Sequence, residues 1–103
     1  MNKATKTYAV YQVPFENDLI RDKSFMSPEQ IEEVSDQYEL VGTVEAKDLN
    51  EVFFFGNIER EKFTVLGEMV SVSVGDVIHN LTTDETFVVE MMGFKKIYMK
   101  VGA

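Results

Sequence analysis

Residues 5–13, TKTYAVYQV, place apolar side chains on both faces of any strand they form. Tyr8, Val10 and Gln12 alternate with Ala9, Tyr11 and Val13, whereas a strand with one wet face alternates apolar with polar. The segment is rich in Thr, Tyr and Val, which favour extended backbone. It predicts a central strand of a sheet. Pro14 ends it, because proline has no N–H to give to a ladder.

The C-terminal third holds a second sheet signal. Residues 77–81 and 85–91 flank Thr82-Thr83-Asp84 and predict a β-hairpin. Val74-Gly75-Asp76 reads as the turn that feeds it. After Gly93 the pattern breaks, and residues 94–101 predict a final strand. Residues 38–46 predict another, with Tyr38, Leu40, Gly42 and Val44 on one face and Glu39, Val41, Thr43 and Glu45 on a solvated one. Residues 21–26 read as a short edge strand. Residues 58–71 give no clear pattern, and 65–67 fit a loop or a short strand.

Two helix starts are marked by capping chemistry. In Ser27-Pro28-Glu29-Gln30, Ser27 caps, Pro28 suits the first helical position and Gln30 completes a capping box. Ile31 and Val34 form a narrow apolar stripe, and the helix is expected to run to about residue 37. Asp48 opens the second helix with Glu51 as its partner. Leu49, Val52 and Phe53 share a stripe, while Phe54 and Phe55 point roughly 100° and 200° away from Phe53. Gly56-Asn57 is expected to stop this helix. The sum is an α+β fold: a small curved antiparallel or mixed sheet of about five strands with two short helices. With 103 residues, a single domain over 1–103 is expected.

The chain has no cysteine. That removes disulfides, thiolate catalysis and cysteine-ligated zinc or iron–sulfur clusters. No apolar run approaches the ~20 residues that span a bilayer. The start, MNKATKTYAVYQ, lacks the apolar run of a secretion signal, so a cytoplasmic protein is expected. The net charge is −8, and residues 27–61 carry all of it, with ten acidic side chains against two basic ones. Such a charge disfavours direct binding to nucleic acid and to anionic membranes, where Lys and Arg must displace counterions. It suits a protein partner with a basic surface, and equally suits plain solubility.

Reactive constellations are scarce. His79 is the sole histidine. A Ser-His-Asp arrangement would draw on Ser71 or Ser73 and on Asp76 or Asp84, without a nucleophile elbow, so a packed or surface histidine is expected. The carboxylate pairs Glu32–Glu33 and Asp84–Glu85 are expected to be solvated. The six glycines are isolated and form no phosphate-binding loop. Tyr8, Tyr11, Phe87 and Phe94 read as core. No catalytic, cofactor-binding or metal-binding residue is assigned, and no enzyme activity or cofactor is expected. Two features suggest a surface for another protein: the run Phe53-Phe54-Phe55, and Met91-Met92, read as facing opposite sides of a strand. The candidate partner-binding residues are Glu29, Glu32, Glu33, Asp36, Glu39, Phe54 and Phe55.

Residues 71–97, SVSVGDVIHNLTTDETFVVEMMGFKKI, resemble the C-terminal signature of the YodL-like domain family: a segment like S-L-S-V-S/G-D-V-I/V, a short hairpin, then an apolar strand ending in Gly-Phe. YAVYQV at 8–13 with the charged Arg21-Asp22 that follows is similar, as are Tyr38-Glu39-Leu40-Val41 and Asp48-Leu49-Asn50-Glu51-Val52-Phe53. The resemblance runs from about residue 7 to 97. It implies a small accessory domain of low-GC Gram-positive bacteria, their phages and conjugative elements, with no agreed enzyme activity or cofactor. The acidic middle and the triple phenylalanine depart from it. The expectation is a non-enzymatic interaction protein of a mobile element, monomeric or homodimeric. Its sharper form is an acidic, DNA-mimicking inhibitor of a CRISPR or restriction nuclease. The alternatives are a small-ligand or regulatory module, and a modulator of a cytoskeletal or cell-shape protein.

Overall fold

A computed structural model describes residues 5–18 and 22–98. Six strands form one open sheet: β1 (Lys6–Gln12), β2 (Glu39–Ala46), β3 (Thr64–Val65), β4 (Val77–Asn80), β5 (Glu85–Glu90) and β6 (Gly93–Ile97), in the order β3-β2-β1-β4-β5-β6. Every neighbouring pair is antiparallel. The fold is α+β as expected, with six strands instead of about five. The extra strand, β3, has two residues and lies in the stretch without a pattern.

The central position of β1 follows from its two apolar faces. Tyr8 and Val10 point into one core with Val44, Ile78 and Val52. Ala9 and Tyr11 point into another with Val77, Val88 and Ile31. Val52 lies on helix α2 (Leu49–Ile58) and Ile31 on helix α1 (Pro28–Glu33), so each helix covers one face of the sheet.

Both helix starts form as their sequences predict. The Ser27 hydroxyl accepts the Gln30 N–H at 3.2 Å, and the Gln30 side chain accepts the Ser27 N–H at 2.8 Å. Asp48 accepts the Glu51 N–H at 2.9 Å, while Glu51 accepts the Lys47 N–H at 2.8 Å. Helix α1 ends at Glu33 and passes into a 3-10 turn, Ser35–Gln37. The expected stop of α2 at Gly56-Asn57 is corrected: the helix continues to Ile58. Gly56 is there for close approach, since a Cβ on it would lie 2.3 Å from Cγ2 of Val72.

Three strand expectations also change. Between Val10 and Tyr11 the β1–β2 register slips, so Val10 faces Gly42 and Tyr11 faces Leu40. The extra residue, Val41, is a bulge that turns inward and is buried, whereas Leu40 is 39% exposed. In place of the edge strand at 21–26 stands a 3-10 turn, Lys23–Phe25; Arg21 lies outside the described residues. Met91-Met92 is not within a strand but forms the turn between β5 and β6. The part of the last predicted strand beyond residue 98 lies outside the described residues.

Candidate functional site

The 3-10 turn carries Lys23 into the protein. Its ammonium forms an ion pair with Asp76, whose side chain is wholly buried. Asp76 also accepts the Gln12 amide at 3.0 Å and the Ser73 N–H at 2.9 Å. Burial pushes the Asp76 carboxyl above the ordinary range; the Lys23 charge, then its hydrogen bond, the Ser73 N–H and the Gln12 amide hold it back. Tyr38 donates to the Gly75 carbonyl at 2.6 Å, and burial, then the Asp76 charge, raise its phenol above the usual value. The Ser73 hydroxyl lies 3.4 Å from the Lys23 ammonium. In that contact the ammonium donates and the hydroxyl oxygen accepts. The cluster ties the 3-10 turn to the loop before β4.

Lys23 forms one wall of a cleft of about 370 Å³. Its floor is Ile31 of α1 and Val88 of β5, and its rim carries Met26, Met91 and Met92. The two turn methionines are 86% and 93% exposed, and Phe25, between two lining residues, is 87% exposed. Glu90 lines the same cleft.

The candidate binding residues fall into two groups. Glu29, Glu33, Asp36 and Glu39 are exposed on α1, the 3-10 turn after it and the start of β2. Glu32 is half-buried and accepts the Tyr98 N–H at 2.7 Å. Glu39 also borders a separate depression of about 400 Å³ with Phe15, Glu16 and Glu68. Phe54 and Phe55 lie on α2, across the sheet from α1. Phe54 is 49% exposed. Phe55 packs against the core with the Lys62 ammonium over its ring at 5.2 Å. The structure therefore puts Glu29 and Glu33 one turn apart on α1 and separates them from the phenylalanines, which lie on the other side of the sheet. Helical spacing placed Phe55 off the main stripe, but not on a different layer from Glu29.

His79 sits in β4, and its Nε2 lies 2.8 Å from the exposed carboxylate of Asp84. Its Nδ1 is buried without a partner. Asp76 belongs to Lys23, and neither Ser71 nor Ser73 bonds to the imidazole, so the imagined triad is not assembled. In the hairpin pair Asp84–Glu85, the Thr83 hydroxyl and then Lys96 hold the Glu85 carboxyl below its usual range. Among the described residues no group of three or more His, Asp or Glu is placed to hold a metal ion. Among them, too, no helix is long and apolar enough to cross a membrane. The Lys23–Asp76 pair escaped sequence reading, because nothing in the polar stretch around Lys23 marks it as buried. No protein-family model, curated protein or solved structure matches this chain.

Proposed function

We propose that this chain is a non-enzymatic protein-interaction protein that engages a basic surface of a partner protein, in keeping with the YodL-like resemblance to accessory proteins of mobile elements. One observation carries the reading. Glu29, Glu33, Asp36 and Glu39 are exposed, and among the described residues none of them has an ion-pair partner. Some carboxylates elsewhere are in use: Glu51 and Asp48 cap α2, Glu59 meets Lys62, Glu85 meets Lys96 and Asp76 meets Lys23. Glu16, Glu45, Glu61, Glu68 and Glu90 are exposed, like the four, without an ion-pair partner among the described residues. Glu29 and Glu33 are four apart on α1, where like charges repel and cost the helix stability.

An acidic patch of this kind steers a basic partner and suppresses acidic ones. The attraction acts over a screening length of about 10 Å at 0.1 M salt, so it weakens as salt rises. The DNA-binding groove of a nuclease is one such surface, and occupying it is the sharper form of the same reading. Purified chain titrated against a basic restriction nuclease, with duplex DNA as competitor, tests it. Binding is expected to compete with DNA, to weaken steeply with ionic strength, and to be lost in the triple reversal Glu29→Lys, Glu33→Lys, Asp36→Lys. Binding that ignores both salt and the reversal overturns the reading.

A further inference from the structure

We propose that the cleft between the Lys23–Phe25 turn and the Met91-Met92 turn seats an apolar side chain carried on a basic, amphipathic segment of the partner protein. The charge part of this inference rests on the acidic-surface reading above; the apolar part rests on the cleft alone.

The methionines have no role in the fold that explains them. Turn positions favour Gly, Asn and Asp, and here the required backbone freedom comes from Gly93, with φ +103°. Met91 and Met92 are almost fully exposed and bury nothing. Three of the six methionines of the chain, Met26, Met91 and Met92, border this one cleft. Unbranched and polarisable, methionine adapts to varied apolar anchors, and it is concentrated at surfaces that receive them. The floor is firm: Ile31 is 1% and Val88 2% exposed. The volume, about 370 Å³, falls within the roughly 300–1,000 Å³ of ligand-binding clefts.

Charge selects the occupant. The Lys23 ammonium is neutralised by Asp76, which leaves Glu90 as the unopposed charge of the lining. Glu29 stands on the first turn of α1, beside the lining residue Pro28 and on the helix that supplies Ile31. Lys95 faces Val88 across the β5–β6 ladder but does not line the cleft. An anionic ligand meets Glu90 in the lining, while Glu29 and Lys95 both stand outside it. A second copy of the chain brings its own net charge of −8 against the same rim. A segment with an apolar anchor flanked by Lys or Arg satisfies both the methionines and the carboxylates.

The test uses full-length protein carrying 13C-methyl methionine and two synthetic peptides: an amphipathic Leu/Lys helix, and a control with Ser in place of each Leu. The Leu/Lys peptide is expected to bind and to shift the Met26, Met91 and Met92 methyls. Met69, packed into the core on the opposite face, is expected to stay still. The double change Met91→Ser, Met92→Ser is expected to weaken that binding about tenfold while leaving the melting temperature unaltered. Equal affinity for the Ser control, unmoved cleft methyls or equal shifts at Met69 overturn the cleft and leave the acidic reading standing. Cleft methyls that shift on dilution of the protein alone assign the cleft to a second copy and overturn the proposal. Methyl shifts that survive Glu29→Lys, Glu33→Lys, Asp36→Lys with unchanged affinity support the apolar seat and overturn the acidic reading.

Discussion

Lys23 and Asp76, 53 positions apart, form a buried ion pair at the edge of the cleft. Lys23 comes from a 3-10 turn outside the sheet, and Asp76 from the loop entering β4. Their contact sets where the turn, and so Phe25 and Met26, stands relative to β5. Desolvating two charges offsets much of their attraction, so the pair adds position more than net stability.

Removing one partner strands the other. Asp76→Asn leaves a buried ammonium without its anion, and Lys23→Met leaves the carboxylate to Ser73 and Gln12 alone. Each single change is expected to cost about 3–5 kcal/mol in urea unfolding, and the double change less than the sum. Additive losses would mean that the two side chains do not interact in solution.

The helix caps and the hairpin were legible because their chemistry is local: Ser27 with Gln30, Asp48 with Glu51, and two apolar runs around a polar turn. The central place of β1 was legible because Tyr8 and Ala9 are both apolar on adjacent, opposite-facing positions. What escaped depends on distant partners. The bulge at Val41 exists because β1 and β2 slip by one residue, and alternation within β2 alone assigns Val41 to water. Gly56 reads as a helix stop until Val72, far along the chain, arrives against it. Lys23 reads as surface until Asp76 is placed. Of the candidate site, the exposure of Glu29, Glu33, Asp36 and Glu39 follows from their charge, whereas the placing of Phe54 and Phe55 on the other layer from α1 depends on how the helices pack on the sheet.

Gly56 gives a sharp packing test. In a helix interior, Ala is favoured over Gly by about 1 kcal/mol. Here the new methyl would sit 2.3 Å from Val72 Cγ2. Overpacking costs roughly 1–3 kcal/mol, so Gly56→Ala is expected to destabilise. In the background of Val72→Ala the methyls are gone and the Cβ, 3.0 Å away, is what remains, so Gly56→Ala is expected to cost much less. A double-mutant cycle by chemical denaturation measures the coupling, and equal costs in the two backgrounds would count against the contact.

Tyr38 predicts an alkaline limb. Its folded-state phenol is raised above the ordinary 10.0 by burial, then by the Asp76 charge. The stability it confers is therefore complete below that value and is lost as pH climbs toward the folded-state value. Tyr8 and Tyr11 are raised too, each chiefly by burial, so the comparison is with Tyr38→Phe. That variant loses the hydrogen bond to Gly75 and is expected to start about 1 kcal/mol less stable at neutral pH. It is expected to lose less than the parent as pH rises past the ordinary tyrosine value. Thermal melts across that range check it, and parallel curves would count against the buried phenol.

Glu33 separates a working acidic face from a merely solvated one. It is the last residue of α1, exposed, and four positions after Glu29. A carboxylate there opposes both the helix dipole and its neighbour. Glu33→Lys reverses both terms and is expected to stabilise by about 0.5 kcal/mol, a rise of roughly 2–4 °C in Tm for a domain of this size. The same change is expected to weaken binding to a basic partner and to flatten its salt dependence. Opposite signs for stability and binding are what a patch kept for docking requires. A gain in Tm with unchanged affinity would assign Glu33 to solvation alone and move the docking surface off α1.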